Sequence, residues 1–211
     1  MLILCDFDGT ITMQDVTNLI WDHFIGPSWR GDLLTSYKRG HISHLKIMVD
    51  GYKLVRASRQ ALLEHVRPLV SLRPGFDALR AHCQARDWPL AVVSGGLDFY
   101  IEAFLPAGVP FYSYTASFNE YWEVTPPPTI EKAEADDFKV AVKKLLKKRH
   151  RKDKVIFIGD GRNDFPVASK ADKVFAVRGS MLAQLCRERS VKCEEFDDFS
   201  EIIPLLDAAN P

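Results

Sequence analysis

Four short apolar runs punctuate the chain, at residues 2–5, 90–93, 155–158 and 174–177, and each gives way at once to polar, glycine-containing sequence. Runs this short and this rich in Val, Ile and Leu predict strands buried on both faces. Helix-like stretches cover 76–86, 98–104, 137–148, 181–189 and 200–208. Strands alternating with helices predict an α/β fold with a parallel sheet covered on both sides. In such a sheet, functional groups collect at the carboxyl ends of the strands. The polar segments after the apolar runs fall there.

Residues 13–71 break this rhythm. They hold helix-like segments at 16–24, 32–38, 43–54 and 58–66 and no strand pattern. A helical insert directly after the first strand reads as a lid over the strand ends, an element that excludes water and reads substrate. Residues 1–12 and 72–211 then form the sheet-bearing core. After the second strand, 112–118 and 121–124 flank Asn119-Glu120 and predict a β-hairpin, and Pro126-Pro127-Pro128 stiffens the way into the next helix.

Composition narrows the partners. Among 211 residues, Lys plus Arg equals Asp plus Glu at 28 each, so no global field favours nucleic acid or an anionic membrane. Any anion site must be local. Cys5, Cys83, Cys186 and Cys193 are scattered without a Cys-x-x-Cys pair, which suits reduced thiols. The run before Asp6 is too short for a signal peptide or a membrane span, so a soluble cytoplasmic protein is expected. The basic run 143–154 reads as the solvated end of a helix whose dipole it complements. Its competing reading, from another functional class, is the RNA-binding face of a catalytically inactive protein. His41 and His44 have His-x-x-His spacing, but no carboxylate or cysteine completes a metal set, so both read as surface or packing residues. Trp21, Phe24 and Trp29 read as core packing of the insert.

Chemistry concentrates in a few positions. Asp6 and Asp8 stand two apart at a strand end, so both carboxylates can face one site, and Gly9 permits a sharp turn after them. Such a pair resists full ionisation without a cation, and a hard divalent ion such as Mg²⁺ with oxygen ligands relieves it. Asp160 and Asp164, in Gly159-Asp160-Gly161-Arg162-Asn163-Asp164, follow another strand. Asp160 is placed to ligate a metal across from Asp6, and Asp164 to orient its neighbours or a metal-bound water. Read alone, this stretch is equally a turn with a helix cap. Ser94, with the amide of Gly95 and a helix start, makes either a phosphate cradle or a cap. A transferring phosphoryl group also needs a cation. Lys132, Lys139 and Lys143 are candidates, with Lys139 preferred for its place near the start of the helix leading to Asp160.

In order along the chain, Asp6-Phe7-Asp8-Gly9-Thr10, Ser94, Lys139 and Gly159-Asp160 through Asp164 resemble the four motifs of the haloacid dehalogenase superfamily. The resemblance implies a Rossmann-like core with a helical cap at 13–71. It also implies Mg²⁺ held by Asp6, Asp160 and the backbone carbonyl of Asp8. Asp6 would be the nucleophile that forms an aspartyl-phosphate and Asp8 the acid/base, giving a phosphatase for a small phosphorylated metabolite. Val92-Val93-Ser94-Gly95-Gly96-Leu97-Asp98 is similar to the branch that holds phosphoserine phosphatase and the methionine-salvage enol-phosphate phosphatase. Thr10-Ile11-Thr12-Met13-Gln14-Asp15 and Ala116-Ser117-Phe118 lean toward the salvage enzyme, with phosphoserine phosphatase as the alternative. Asp15 stands where that branch places a substrate-reading cap glutamate, and Gly51 falls near the place of its carboxylate-clamping arginine.

Overall fold

The computed structural model describes residues 1–127, 130 and 138–209. Pro128, Lys132 and Asp137 from the sequence reading lie outside the described residues. Strands β1 (Leu2–Cys5), β2 (Leu90–Leu97), β3 (Phe111–Phe118), β4 (Trp122–Thr125), β5 (Val155–Gly159), β6 (Lys173–Val177) and β7 (Glu194–Phe196) form one sheet in the order β4-β3-β2-β1-β5-β6-β7. Every neighbouring pair is parallel except the β3–β4 hairpin. β1, β2 and β5 are buried along their whole length, as their apolar runs require. The architecture is the expected Rossmann-like α/β sheet.

Topology positions the site. From β1 the chain works outward to β4, then jumps back to place β5 on the other side of β1. That reversal opens a crevice at the carboxyl ends of β1 and β5, the usual place for a ligand in an open α/β sheet. Asp6 follows β1 and Asp160 follows β5.

Helices α1 (Val16–Phe24), α2 (Asp32–Lys38), α3 (His44–Tyr52) and α4 (Arg59–Val66) occupy the insert. Side chains of Asp15, Ser43 and Ser58 cap α1, α3 and α4 by accepting from backbone amides of the first turn. The two chain crossings at the base of the insert are zipped together: Met13 N donates to Ser71 O at 2.9 Å and Arg73 N to Ile11 O at 2.7 Å. Trp21 packs edge-on against Trp29 and Tyr52, so these tryptophans are core, as expected. Trp122 of β4 donates its indole N–H to Ala57 O at 3.0 Å, tying the hairpin to the insert.

Helices α5 (Phe76–Ala85), α6 (Asp98–Phe104), α7 (Phe138–Arg149), α8 (Phe165–Ala168), α9 (Met181–Glu188) and α10 (Ile202–Ala209) complete the core. Three details differ from the sequence reading. β2 runs on through Ser94-Gly95-Gly96 to Leu97, with its register to β3 slipping between Val93 and Leu97. That irregularity lets a polar tripeptide remain inside a buried strand. β3 joins the parallel sheet beside β2 as well as forming the hairpin. β7 was not expected, because Glu194-Glu195-Phe196 carries no apolar run; as an edge strand it needs only one inward residue, Phe196.

Candidate active site

Burial of charge dominates the crevice. Lys139, in the first turn of α7, is only 4% exposed, and its Nζ lies 2.7 Å from Asp6 Oδ1 and 2.5 Å from Asp164 Oδ1. Burial works against the Lys139 charge, yet Asp164 and Asp6 together hold its ammonium above the ordinary range. Lys143, one turn on, is half-buried, and the ion pairs to Asp6 and Asp164 are made by Lys139. The other oxygen of Asp164 accepts from the backbone N–H of Asp160 at 2.9 Å and of Gly161 at 2.7 Å. Both Asp164 oxygens are therefore engaged, and the residue fixes the turn that presents Asp160. Asp160 Oδ1 accepts from Thr10 Oγ1 at 2.8 Å, joining the loop after β1 to the loop after β5.

One carboxylate oxygen from each of Asp6, Asp160 and Asp164 falls within 4.8 Å of the others. The cluster joins Asp6, after β1, to Asp160 and Asp164, after β5. Asp6 Oδ1 is buried and, its ion pair with Lys139 aside, has no well-formed hydrogen bond among the described residues. Three carboxyls, those of Asp6, Asp160 and Asp164, thus share one ammonium. Hard oxygen donors with a charge deficit fit a divalent cation such as Mg²⁺.

Asp8 is held apart from that cluster. Its Oδ2 accepts from the Tyr100 hydroxyl at 2.8 Å and its Oδ1 from Val16 N at 2.9 Å. Burial, and then the charge of Asp15, push its carboxyl up to about 8, so without a metal it carries a proton at neutral pH. Burial and the nearby Asp164 likewise push Asp160 up to about 7. Ser94 Oγ accepts from Gly96 N at 3.0 Å, and Ser94 lines the cavity together with Asp6 and Asp8. That cavity, of about 210 Å³, also touches Asp15, whose carboxylate caps α1 by accepting from Asn18 N at 2.8 Å.

The profile of the haloacid dehalogenase-like hydrolases matches residues 3–169. The chain belongs to that family. Relatives of this hydrolase include the 2-hydroxy-3-keto-5-methylthiopentenyl-1-phosphate phosphatases of Geobacillus kaustophilus (29% identical, covering 98% of this chain and 95% of the relative) and Exiguobacterium sibiricum (27%, covering 97% and 95%). A substrate-bound phosphoserine phosphatase shares its fold at a TM-score of 0.77 and 18% identity, covering 97% of each chain. The resemblance to that branch of the haloacid dehalogenases therefore holds in sequence and in fold.

Three residues of this hydrolase's crevice escaped sequence reasoning. Tyr100 sits in the apolar phase of α6, which reads as core, yet its hydroxyl reaches Asp8. Arg73 is buried and donates to the backbone carbonyls of Thr10 (2.8 Å) and Gly9 (2.9 Å), pinning the turn after β1. His44, read from sequence as a surface or packing residue, instead lines the cavity from the start of α3. Burial first, and then the charge of Lys139, lower its imidazole to about 3, so it is neutral at working pH. Its ring lies where a side chain at residue 95 would point: a Cβ there would press on Cε1 and come within 2.9 Å of Nδ1. Gly95→Ala must displace the His44 ring, and kcat/KM is expected to fall by about tenfold or more with a near-normal melting temperature. Unchanged kinetics would show that this close approach does not matter to turnover.

The basic residues from Lys143 onward lie toward the carboxyl end of α7, which leads back to the amino-terminal edge of the sheet. Lys147, Lys148 and Arg149, in the last turn of α7, therefore lie at the end of that helix away from Lys139. No described helix is long and apolar enough to cross a membrane.

Proposed function

We propose that the chain is a Mg²⁺-dependent phosphomonoesterase that works through an aspartyl-phosphate on Asp6, with residues 13–71 acting as its cap. The observation that carries this reading is the buried Asp6–Lys139–Asp164 cluster facing Asp160 across the β1/β5 crevice. Asp6, Asp160 and the carbonyl of Asp8 would hold the ion. When bound, Mg²⁺ supplies positive charge to the phosphoryl oxygens and to the attacking carboxylate.

Asp6 attacks phosphorus, and the bond from phosphorus to the leaving oxygen breaks. Lys139 balances charge on the phosphoryl oxygens, and Ser94 with the Gly95 amide orients one of them. Asp8 gives its proton to the leaving oxygen, then takes one from the water that attacks phosphorus and frees Asp6. Its hydrogen bonds from Tyr100 and Val16 fix the carboxyl for both steps. Asp164 acts by orienting Lys139 and the Asp160 loop, and Asp15 reads substrate from the cap.

The substrate in this reading is a small phosphorylated metabolite in the cytoplasm, and nucleic acid is not a partner. The enol phosphate in the names of the sequence relatives is the leading candidate, and phosphoserine is the alternative. EDTA is expected to stop hydrolysis of p-nitrophenyl phosphate and added Mg²⁺ to restore it. Turnover at an undiminished rate in EDTA would contradict the mechanism.

Linkage provides a check that needs no substrate. Asp8 and Asp160 have folded values of about 8 and about 7, above their ordinary value, so the metal-free folded state binds protons that the unfolded state releases. Metal-free stability should therefore fall as pH rises from about 4 to 8, by at least ~5 °C in Tm. Since an ion held by Asp160 would displace the proton of that carboxyl, stabilisation by Mg²⁺ should grow over the same window. Thermal melts at pH 5.5 and 8.0, with EDTA or Mg²⁺, test both signs.

A further inference from the structure

Both oxygens of Asp8 answer to a single turn of the insert. Val16 N, a first-turn amide of α1 with no acceptor inside its own helix, donates to Asp8 Oδ1 at 2.9 Å. Thr17, the next residue, places Oγ1 3.1 Å from the hydroxyl of Tyr100, and that hydroxyl donates to Asp8 Oδ2 at 2.8 Å. Thr17 Oγ1 also lies 3.4 Å from the hydroxyl of Tyr52 in α3. Tyr52 and Tyr100 are fully buried and Thr17 nearly so, and the chain of hydroxyls runs through the interior. Gly96 of β2 makes room for it: a Cβ there would press on the Tyr100 hydroxyl and come within 2.5 Å of Asp8 Oδ2.

Counting protons orders the chain. A phenol or an alcohol has one proton to donate. With Asp8 ionised, Tyr100 gives its proton to the carboxylate and must accept from Thr17. Thr17 has then spent its own proton and must accept from Tyr52. The donors therefore point one way, from Tyr52 through Thr17 and Tyr100 to Asp8.

We propose that Thr17 is a positioning residue: through Tyr100 it aligns the Asp8 carboxyl for proton transfer, so that seating α1 on the core completes the acid/base. The proposal rests on the phosphatase reading and extends its machinery into the insert. Asp8 and Tyr100 belong to the core, whereas Val16 and Thr17 belong to the insert. With α1 lifted away, Oδ1 loses the Val16 amide, and the Tyr100 hydroxyl loses the donor that turns its own proton toward Oδ2.

The test compares kcat/KM for phenyl phosphate and p-nitrophenyl phosphate. Phenoxide leaves poorly without a proton, whereas p-nitrophenoxide leaves readily, so the first ester reads the alignment of Asp8 far more than the second. Thr17→Val keeps the shape of the side chain and removes the hydroxyl. It is expected to lower kcat/KM by about tenfold or more for phenyl phosphate and by less than about threefold for the nitrophenyl ester, with Thr17→Ser recovering most of the loss. Tyr100→Phe should separate the two esters in the same direction and more strongly, and Tyr52→Phe more weakly, since its bond is the longest of the chain. Because Thr17 acts through Tyr100, adding Thr17→Val to Tyr100→Phe should deepen the loss by less than about twofold. Equal losses on the two esters, no loss, or additive losses in the double variant overturn the positioning role and leave the phosphatase reading intact. The Tyr100→Phe comparison decides the matter even where Thr17→Val does not fold. Hydrolysis of neither ester by the wild type sinks the phosphatase reading and this role with it.

Discussion

Asp6→Asn is expected to lower turnover of p-nitrophenyl phosphate by at least about 10⁴-fold while the protein stays folded. An amide oxygen is a poor nucleophile toward phosphorus, and nothing else in the cluster is free to replace it. Lys139 and the backbone amides engage Asp164, and Asp160 is hydrogen-bonded by Thr10. The stability half of this prediction is equally specific. Burial, and then the charge of Asp164, push the Asp6 carboxyl well above the ordinary range, so its ionised form is a cost to the metal-free fold. The amide removes that cost. In EDTA the variant should melt no lower than the wild type, and Mg²⁺ should raise its melting temperature less. A variant that unfolds in EDTA, or one that retains turnover, would remove Asp6 from the centre of the mechanism.

Lys139→Met should act in the opposite sense on stability. Methionine matches the length of the aliphatic stem but leaves Asp6 and Asp164 facing each other without a cation. Breaking a buried ion pair by removing one partner costs about 3–5 kcal/mol, mostly from the charge left behind. The melting temperature in EDTA should therefore drop by about 6 °C or more, and Mg²⁺ should recover part of the loss. Turnover should fall by about 10²- to 10³-fold even at saturating Mg²⁺, because a fixed positive charge beside the transferring group is gone. Lys143→Met, one turn along α7, provides the control and should change neither quantity appreciably. Equal effects of the two substitutions would show that the lysine pairing seen here has no particular catalytic weight.

What was legible in the sequence, and what was not, follows from the range of the forces involved. The strands β1, β2, β5 and β6 could be read because burial on both faces leaves an unbroken apolar run. The acidic residues were legible because they stand directly after those runs, where chain reversal fixes their position. Asp164 reads from the sequence as orienting its neighbours or a metal-bound water, and its bonds to the Asp160 and Gly161 amides are a local three-to-four-residue turn. Lys139 could be chosen over Lys143 only by its place in the helix. Contacts between distant segments lay out of reach. His44 meets Gly95 across 51 positions (95 − 44), and only the folding of the insert back onto the core creates that contact. Tyr100 looks like core because most of it is core, and its hydroxyl alone takes part at Asp8. Arg73 reads as an ordinary surface cation until the turn after β1 is seen to need donors for its carbonyls. One signal could have singled out Gly95 earlier: two consecutive glycines in the middle of an apolar strand usually mark a close approach of another group.

Everything in the account depends on phosphorus becoming bonded to the Asp6 carboxylate. The direct measurement is rapid acid quench of enzyme mixed with substrate and Mg²⁺, followed by borohydride reduction and peptide mass spectrometry. Acyl phosphates are reduced to alcohols, so the account predicts a homoserine side chain at position 6, present with Mg²⁺ and absent with EDTA. Reduction at another carboxylate, or rapid product formation with position 6 untouched throughout the first turnover, would contradict it.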